Sequence, residues 1–106
     1  MNGPAGQFCG RSWQDWIAQY EMSHRHPVNR RCHLLGIPMI VVSLPLLVAG
    51  LYARTALAGA LLLFVGGWLL QFIGHLAERK PPEFFRDWRF LFVGVRWWLA
   101  RVQGRL

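Results

Sequence analysis

Two long uncharged apolar runs, separated by only two residues, limit what this chain can fold into. Residues 34–52 are nineteen without a charged side chain, and residues 55–74 are a second run of twenty. As a helix, each run would extend about 30 Å, the thickness of a bilayer's hydrocarbon core. Because only Ala53 and Arg54 lie between them, the helices must be antiparallel neighbours. The pattern predicts a transmembrane helical hairpin formed by residues 33–52 and 55–75.

The segment before the hairpin is too short and too polar to cross a bilayer. The segment after it has only six consecutive uncharged residues, 90–95, so an interfacial position is favoured over a third crossing in which Arg96 is buried or snorkels. In residues 12–25, apolar and aromatic side chains recur at steps of three and four, which predicts an amphipathic helix. Ser12 can cap this helix, and Pro27 ends or bends it. Residues 83–101 are rich in Phe and Trp but carry arginines, which predicts an interfacial or re-entrant helix with its tryptophans at headgroup depth.

The predicted fold is therefore one all-α integral membrane domain that spans residues 1–106. Its first segment, residues 1–11, is glycine-rich and unpatterned, and we expect a flexible leader there. Hydrophobic residues make up 54% of the chain and charged residues only 16%, against about 25% in soluble domains. This composition and the two apolar runs favour a membrane protein.

The net charge of +7 is explained by the membrane rather than by nucleic acid. The basic residues flank the apolar runs instead of forming a stripe on a soluble face, so we expect no nucleic-acid partner. Only Arg54 lies in the turn between the runs. The positive-inside rule then places both termini in the cytoplasm, and we expect a protein of the bacterial inner membrane.

The spacing of two histidines points to a shared site. His33 lies 21 residues before Arg54, and His75 lies 21 residues after it. In a hairpin that turns at Arg54, both side chains reach the same depth at the cytoplasmic mouth. His24, at the end of the amphipathic helix, can fold over the same mouth. Glu78 follows His75 by three residues and shares its helix face if the helix continues.

Imidazoles and a carboxylate at one apolar mouth suit a transition metal. Two histidines with one carboxylate form the facial ligand set of non-haem ferrous oxygenases, although zinc accepts the same ligands. We expect Asn29 and Gln71 to orient the imidazoles as second-layer residues that do not touch the metal, with Tyr20 close to the imidazoles. His26, beside Pro27, is interpreted as structural or solvated.

Two other functions remain open from the residues alone. His33 and His75 on facing helices could be the axial ligands of a b-type haem. Alternatively, the hairpin could dock other membrane spans in a non-enzymatic adaptor, and each histidine would then be an interfacial anchor. Polar groups at this depth are costly unless they are used, which favours a site over a purely structural hairpin.

Two ordered motifs resemble a known family. The stretch from Tyr20 to Pro38 reads Y-x-x-x-H-x-x-P-x-N-x-x-x-H-x-x-G-I-P, and the stretch from Gln71 to Pro81 reads Q-F-I-G-H-x-x-E-x-x-P. Together they resemble the membrane-bound 2-hydroxy fatty acid dioxygenase family, over roughly residues 16 to 98. The resemblance implies iron(II)-dependent α-oxidation, in which a 2-hydroxy fatty acid and dioxygen give a fatty acid one carbon shorter.

The resemblance also implies roles for particular residues. It places the metal ligands at His24, His33 and His75, and an acidic residue, as fourth ligand or proton acceptor, at Glu78. A basic side chain near the mouth, Arg30 or Arg79, would attract the substrate carboxylate. Since one chain offers few ligands and little wall around a substrate, a homodimer is expected.

Overall fold

The chain is mostly helical, at 74%, in a computed structural model that describes residues 6–106. The predicted all-α class is therefore confirmed at this level. In chain order the described elements are strands β1 (Gln7–Phe8) and β2 (Arg11–Ser12), helices α1 (Trp13–Met22), α2 (Pro27–Ala49) and α3 (Arg54–Glu78), a 3-10 turn (Glu83–Phe85) and helix α4 (Phe90–Val102).

Part of the predicted leader, from residue 7 onwards, forms two short strands. β1 and β2 pair as a short antiparallel hairpin, whose turn places Cys9 and Gly10 at positive φ. The Phe8 ring stacks on Trp13 at 4.8 Å, and the Phe8 carbonyl accepts a hydrogen bond from Trp16 Nε1 at 2.8 Å. These contacts fix the hairpin against α1, while residues 1–5 lie outside the described part.

Helix α1 begins as predicted, because the Ser12 side chain accepts the Asp15 N–H. It ends at Met22, so His24 lies just beyond it in a short loop. Pro27 does more than end α1. It is the first residue of α2, where its missing N–H costs no helical hydrogen bond.

Helices α2 and α3 lie side by side along their whole length. A Cβ on Gly36 would stand 2.8 Å from the Gly67 carbonyl, and one on Gly74 would overlap Asn29, so glycines permit this close approach. α2 starts six residues earlier than the predicted 33, and α3 continues to Glu78 before Arg79 turns left-handed at φ 62°. Both helices are long and apolar enough to cross a membrane.

The last helix is shorter and more buried than predicted. Pro81 and Pro82 precede a 3-10 turn, and α4 begins only at Phe90. It packs on α1, and Trp97, predicted to lie at headgroup depth, is fully buried with its Nε1 donating to Glu21. Its burial is explained by this hydrogen bond together with the apolar faces of α1 and α4. The buried apolar core consists of Trp16, Tyr20, Ile37, Phe90, Val93 and Trp97.

Candidate metal centre

Three histidines from three different segments lie close together beside the apolar core. His24 comes from the loop after α1, His33 from α2 and His75 from α3. One ring nitrogen from each lies within 4.8 Å of the others, and all three residues are buried. The Nε2 atoms of His24 and His33 are 3.0 Å apart. The shared depth predicted for His33 and His75 is seen in their ring centroids, which are 4.8 Å apart.

Backbone carbonyls orient two of the three rings. His24 Nδ1 lies 2.6 Å from the Tyr20 carbonyl, and His33 Nδ1 lies 2.9 Å from the Asn29 carbonyl. Because a carbonyl oxygen can only accept, each Nδ1 carries a proton and donates it. In a neutral ring this leaves a lone pair on each Nε2, the atom that faces the other histidine.

The charge state of His24 follows from its surroundings. The residue is 1% exposed, and burial lowers its pKa from 6.5 to about 3. The Tyr20 ring, stacked on the imidazole at 3.9 Å, adds to this apolar enclosure. His24 is therefore neutral at physiological pH, the form in which an imidazole binds a metal ion.

These nitrogens suit a bound cation. Two Nε2 lone pairs that face each other at 3.0 Å, with no proton between them, repel unless a positive charge lies between them. A separation of 3.0 Å lies within the range for two imidazole nitrogens that would both bind one ion at about 2.1 Å. The residues present therefore fit a transition metal held by three imidazoles.

Glu78 does not join the group that the histidines form in the described chain. Its two carboxylate oxygens accept hydrogen bonds from the backbone N–H groups of Arg25, at 3.0 Å, and His26, at 2.6 Å. The carboxylate thus links the end of α3 to the loop that carries His24. The exposed His26 caps α2 by accepting the Val28 N–H, which agrees with a structural role.

The three predicted supporting residues lie around the histidines in different ways. Tyr20 and Asn29 supply the carbonyls that orient His24 and His33. The Asn29 side chain also donates to the Ser23 carbonyl, just before His24, at 3.0 Å. Gln71 lies one helical turn before His75, but its buried Nε2 has no hydrogen-bond partner among the described residues.

The two arginines expected to attract a carboxylate do not line the same space. Arg30 is engaged elsewhere, because its Nε donates to the His24 carbonyl at 2.6 Å and its guanidinium pairs with Glu21. Arg79 is exposed at the end of α3. Neither belongs to the residues that line the cavity beside the histidines.

A polar cluster around Glu21 covers the site, and the sequence analysis did not predict it. The Glu21 carboxylate accepts from Trp97 Nε1 and forms ion pairs with Arg30 and Arg101. It joins α1, α2 and α4 around the histidines. The only sequence signal was a lone acidic residue one helical turn before a run of basic ones, which is too common to be informative.

An apolar cavity of about 320 Å³ extends from the histidines along α2 and α3. Its walls are one face of α2 at Ile37, Ile40 and Leu44 and one face of α3 at Phe64 and Trp68, closed by α4 and the 3-10 turn. Polar side chains gather at one end, namely Tyr20, His24, His33, Gln71 and His75, while Glu83 lies on the 3-10 turn. The cavity thus has the shape and polarity of a site for a long amphiphile.

The fold and site define a class: a helical protein with two membrane-length apolar helices and a buried histidine cluster able to hold a metal ion. Within that class, the chain belongs to the 2-hydroxy-palmitic acid dioxygenase Mpo1-like family, whose model matches residues 10–106. The family suspected from the two motifs is thereby confirmed. Neither a curated protein nor a solved structure matches the chain.

Proposed function

We propose that this protein is an integral membrane dioxygenase that cleaves 2-hydroxy fatty acids to fatty acids one carbon shorter, with ferrous iron on His24, His33 and His75. The observation that carries the proposal is the convergence of three buried imidazole nitrogens within 4.8 Å at the end of an apolar cavity. The family description names a dioxygenase of 2-hydroxy-palmitic acid, which supports the same activity.

Iron is favoured over zinc by the reaction that the family description implies. Zinc has no redox chemistry, whereas iron held by the three histidines would supply electron exchange with dioxygen. Three imidazoles would leave room beside the ion for the carboxylate and hydroxyl of the acid. The ligand set proposed here therefore contains three histidines, and Glu78 is assigned to the loop that holds His24.

The reaction balances without a further co-reactant. The bond between C1 and C2 of the 2-hydroxy acid breaks, C2 is oxidised to the new carboxyl group, and dioxygen is reduced. One molecule of acid and one of dioxygen give the shortened acid, carbon dioxide and water. The protein's own groups bind the polar head beside the histidines and keep bulk water away, since His24, His33 and Tyr20 are all buried.

The cavity suits the alkyl chain of the substrate. His33 and Leu44, at its two ends on α2, are eleven residues apart, which corresponds to about 16 Å along a helix. Leu44 and Phe92 line the cavity and are 51% and 57% exposed, which supports a cavity that opens to the side of the helices. A fatty acid can therefore enter from the lipid with its head directed to the histidines.

The outer surface supports a position within the bilayer. Large apolar side chains on α2 and α3 face outwards, and Leu62 and Leu76 are more than three-quarters exposed. Such a continuous apolar surface is rare on soluble monomers and is normal for helices in lipid. With the basic residues at the histidine end, we place that end and both termini at the cytoplasmic face.

The proposal is tested by metal content and turnover in the same preparations. Protein purified anaerobically in detergent is analysed for iron and zinc, and the shortened acid is measured after addition of 2-hydroxypalmitate and oxygen. We expect about one iron per site, with both iron and product lost in His33→Ala and His75→Ala. His26→Ala is the matched control and should keep both.

Other outcomes would point to the other functions. Full iron and full turnover in His33→Ala would remove the assignment of the site. A Soret band would indicate haem, although edge-to-face packing of His33 and His75 at 4.8 Å leaves no slot for a macrocycle between them. A metal-free protein that carries a stoichiometric partner would favour the adaptor.

A further inference from the structure

Gln71 is a buried polar residue that lines the cavity beside the histidines. It is 5% exposed, and its Nε2 has no hydrogen-bond partner among the described residues. Leaving a buried donor unpaired costs more than a typical hydrogen bond contributes, so such groups in native proteins call for an explanation. The explanation most often found is a ligand or an ordered water.

The amide lies where a ligand would reach it. Gln71 lines the apolar cavity together with His33 and His75, and it precedes His75 by one helical turn on the same face of α3. On the facing helix, a Cβ at Gly36 would stand 3.0 Å from Nε2. Only a glycine at position 36 therefore leaves room for the amide nitrogen, which lies against α2 there.

The apolar walls of the cavity offer the amide no acceptor. Ile37, Ile40 and Trp68 line the cavity on the same two helices, and none has an acceptor in its side chain. His75 Nδ1, one turn further along α3, is buried and likewise has no hydrogen-bond partner among the described residues. Most carbonyls inside an α-helix are already occupied by its own N–H groups. An oxygen of a molecule bound in the cavity would supply the acceptor that the described residues do not give to Nε2.

We propose that Gln71 is a substrate-binding residue whose amide N–H donates to an oxygen of the polar head of the acid, its carboxylate or its 2-hydroxyl, beside the histidines. This inference rests on the proposed function, because it takes a 2-hydroxy fatty acid as the occupant of the cavity. The sequence analysis predicted that Gln71 orients an imidazole. We assign it to the substrate instead, because its Nε2 donates to no histidine among the described residues.

The test measures binding rather than turnover. Iron-loaded protein is kept free of oxygen, so that the acid is bound but not cleaved, and the dissociation constants of radiolabelled 2-hydroxypalmitate and palmitate are determined. Gln71→Met keeps the length of the side chain and removes the donor. We expect about tenfold weaker binding of 2-hydroxypalmitate with iron content unchanged.

A second variant and a control make the result interpretable. Gln71→Glu should weaken binding further, since its carboxylate repels that of the acid. Ser43→Ala removes another buried polar group on α2, whose hydroxyl bonds the Ile40 carbonyl outside the cavity lining, and should bind as the wild type does. An equal loss for both acids assigns the bond to the carboxylate, and a loss confined to 2-hydroxypalmitate assigns it to the hydroxyl.

Failure of this inference is separable from failure of the proposed function. If the wild type cleaves 2-hydroxypalmitate and folded Gln71→Met binds it within twofold of the wild type, the role of Gln71 is overturned and the dioxygenase stands. If the wild type holds no iron and forms no shortened acid, the proposed function itself fails, whatever the variants do.

Discussion

The two ends of the α2–α3 pair are built from the same kind of helix but have opposite surroundings. At the turn between the helices, Leu51 and Tyr52 are 78% and 89% exposed, whereas His33 and His75 at the other end are 2% and 6% exposed. The difference arises because α1 and α4 cover only the histidine end. Burial here follows from which elements cover a residue, and hydrophobicity alone would have placed these residues the other way round.

The same comparison explains how polar groups are tolerated. At the histidine end, backbone carbonyls of Tyr20 and Asn29 accept from two imidazoles, and Glu78 holds the loop between α1 and α2. At the turn end, exposed apolar side chains need no partner. If this contrast is correct, substitutions should lower the free energy of unfolding strongly at the histidine end and very little towards the turn between the helices.

The largest effect is expected from glycines on α3. Gly74→Ala would drive a Cβ into Asn29 at the histidine end, whereas a Cβ on Gly59, nearer the turn, meets nothing within 4 Å. We expect Gly74→Ala to lower the free energy of unfolding by about 3 kcal/mol through overpacking. Gly59→Ala should raise it by up to about 1 kcal/mol, because alanine favours the helix. Unfolding in detergent measures both, and similar values for the two variants would contradict the contrast.

A pH series on metal-free protein between pH 6.5 and 5 should give the next largest effect, about 2 kcal/mol. Because the pKa of His24 falls from 6.5 to about 3 on folding, the unfolded chain takes up a proton below pH 6.5 that the folded chain does not. Stability is therefore full above pH 6.5 and falls as the pH drops towards 3, by at most about 1.4 kcal/mol per pH unit from this residue. The slope should be smaller in His24→Gln, and equal slopes in the wild type and the variant would contradict the assignment to His24.

Loss of the Glu21 charge should have a moderate effect. In Glu21→Gln the ion pairs with Arg30 and Arg101 are lost, and the hydrogen bond from Trp97 is weakened. We expect a loss of about 1–2 kcal/mol in unfolding free energy, as for charge-assisted hydrogen bonds that are partly buried. The control Asp15→Asn, at an exposed position of the same helix, should cost only a few tenths of a kcal/mol. Equal costs would mean that this cluster does not close the site.

The smallest effect on stability is expected at Glu78, where the readout is metal affinity. Glu78→Gln keeps an acceptor for the loop but removes its charge, and we expect about tenfold weaker metal binding, as for residues that position ligands. Glu83→Gln on the 3-10 turn is the control and should bind metal normally. Complete loss of metal in Glu78→Gln, as in His75→Ala, would instead support the predicted role as a fourth ligand.

Much of the helical framework was predictable because helix formation and length depend on local sequence. Ser12 capped α1, and two uncharged runs predicted two membrane-length helices near their observed positions. The predicted start of α2, residue 33, was less accurate. The helix begins at Pro27, where the proline fits the first turn and His26 supplies the cap. The ordered hairpin before α1 was missed, because it is held by Phe8 against Trp13 and Trp16, contacts between segments with no periodic pattern.

The sequence by itself determined that His33 and His75 lie at one depth, because two helices of fixed rise joined by a short turn place equidistant residues side by side. Only the tertiary structure decided that His24 joins them, that Glu78 faces the loop and that Gln71 Nε2 has no partner in the described part of the chain. The physical reason is that a side chain's direction and partners depend on segments far away in the chain. Helical spacing fixes height along an axis, whereas packing and hydrogen bonding fix which atoms meet.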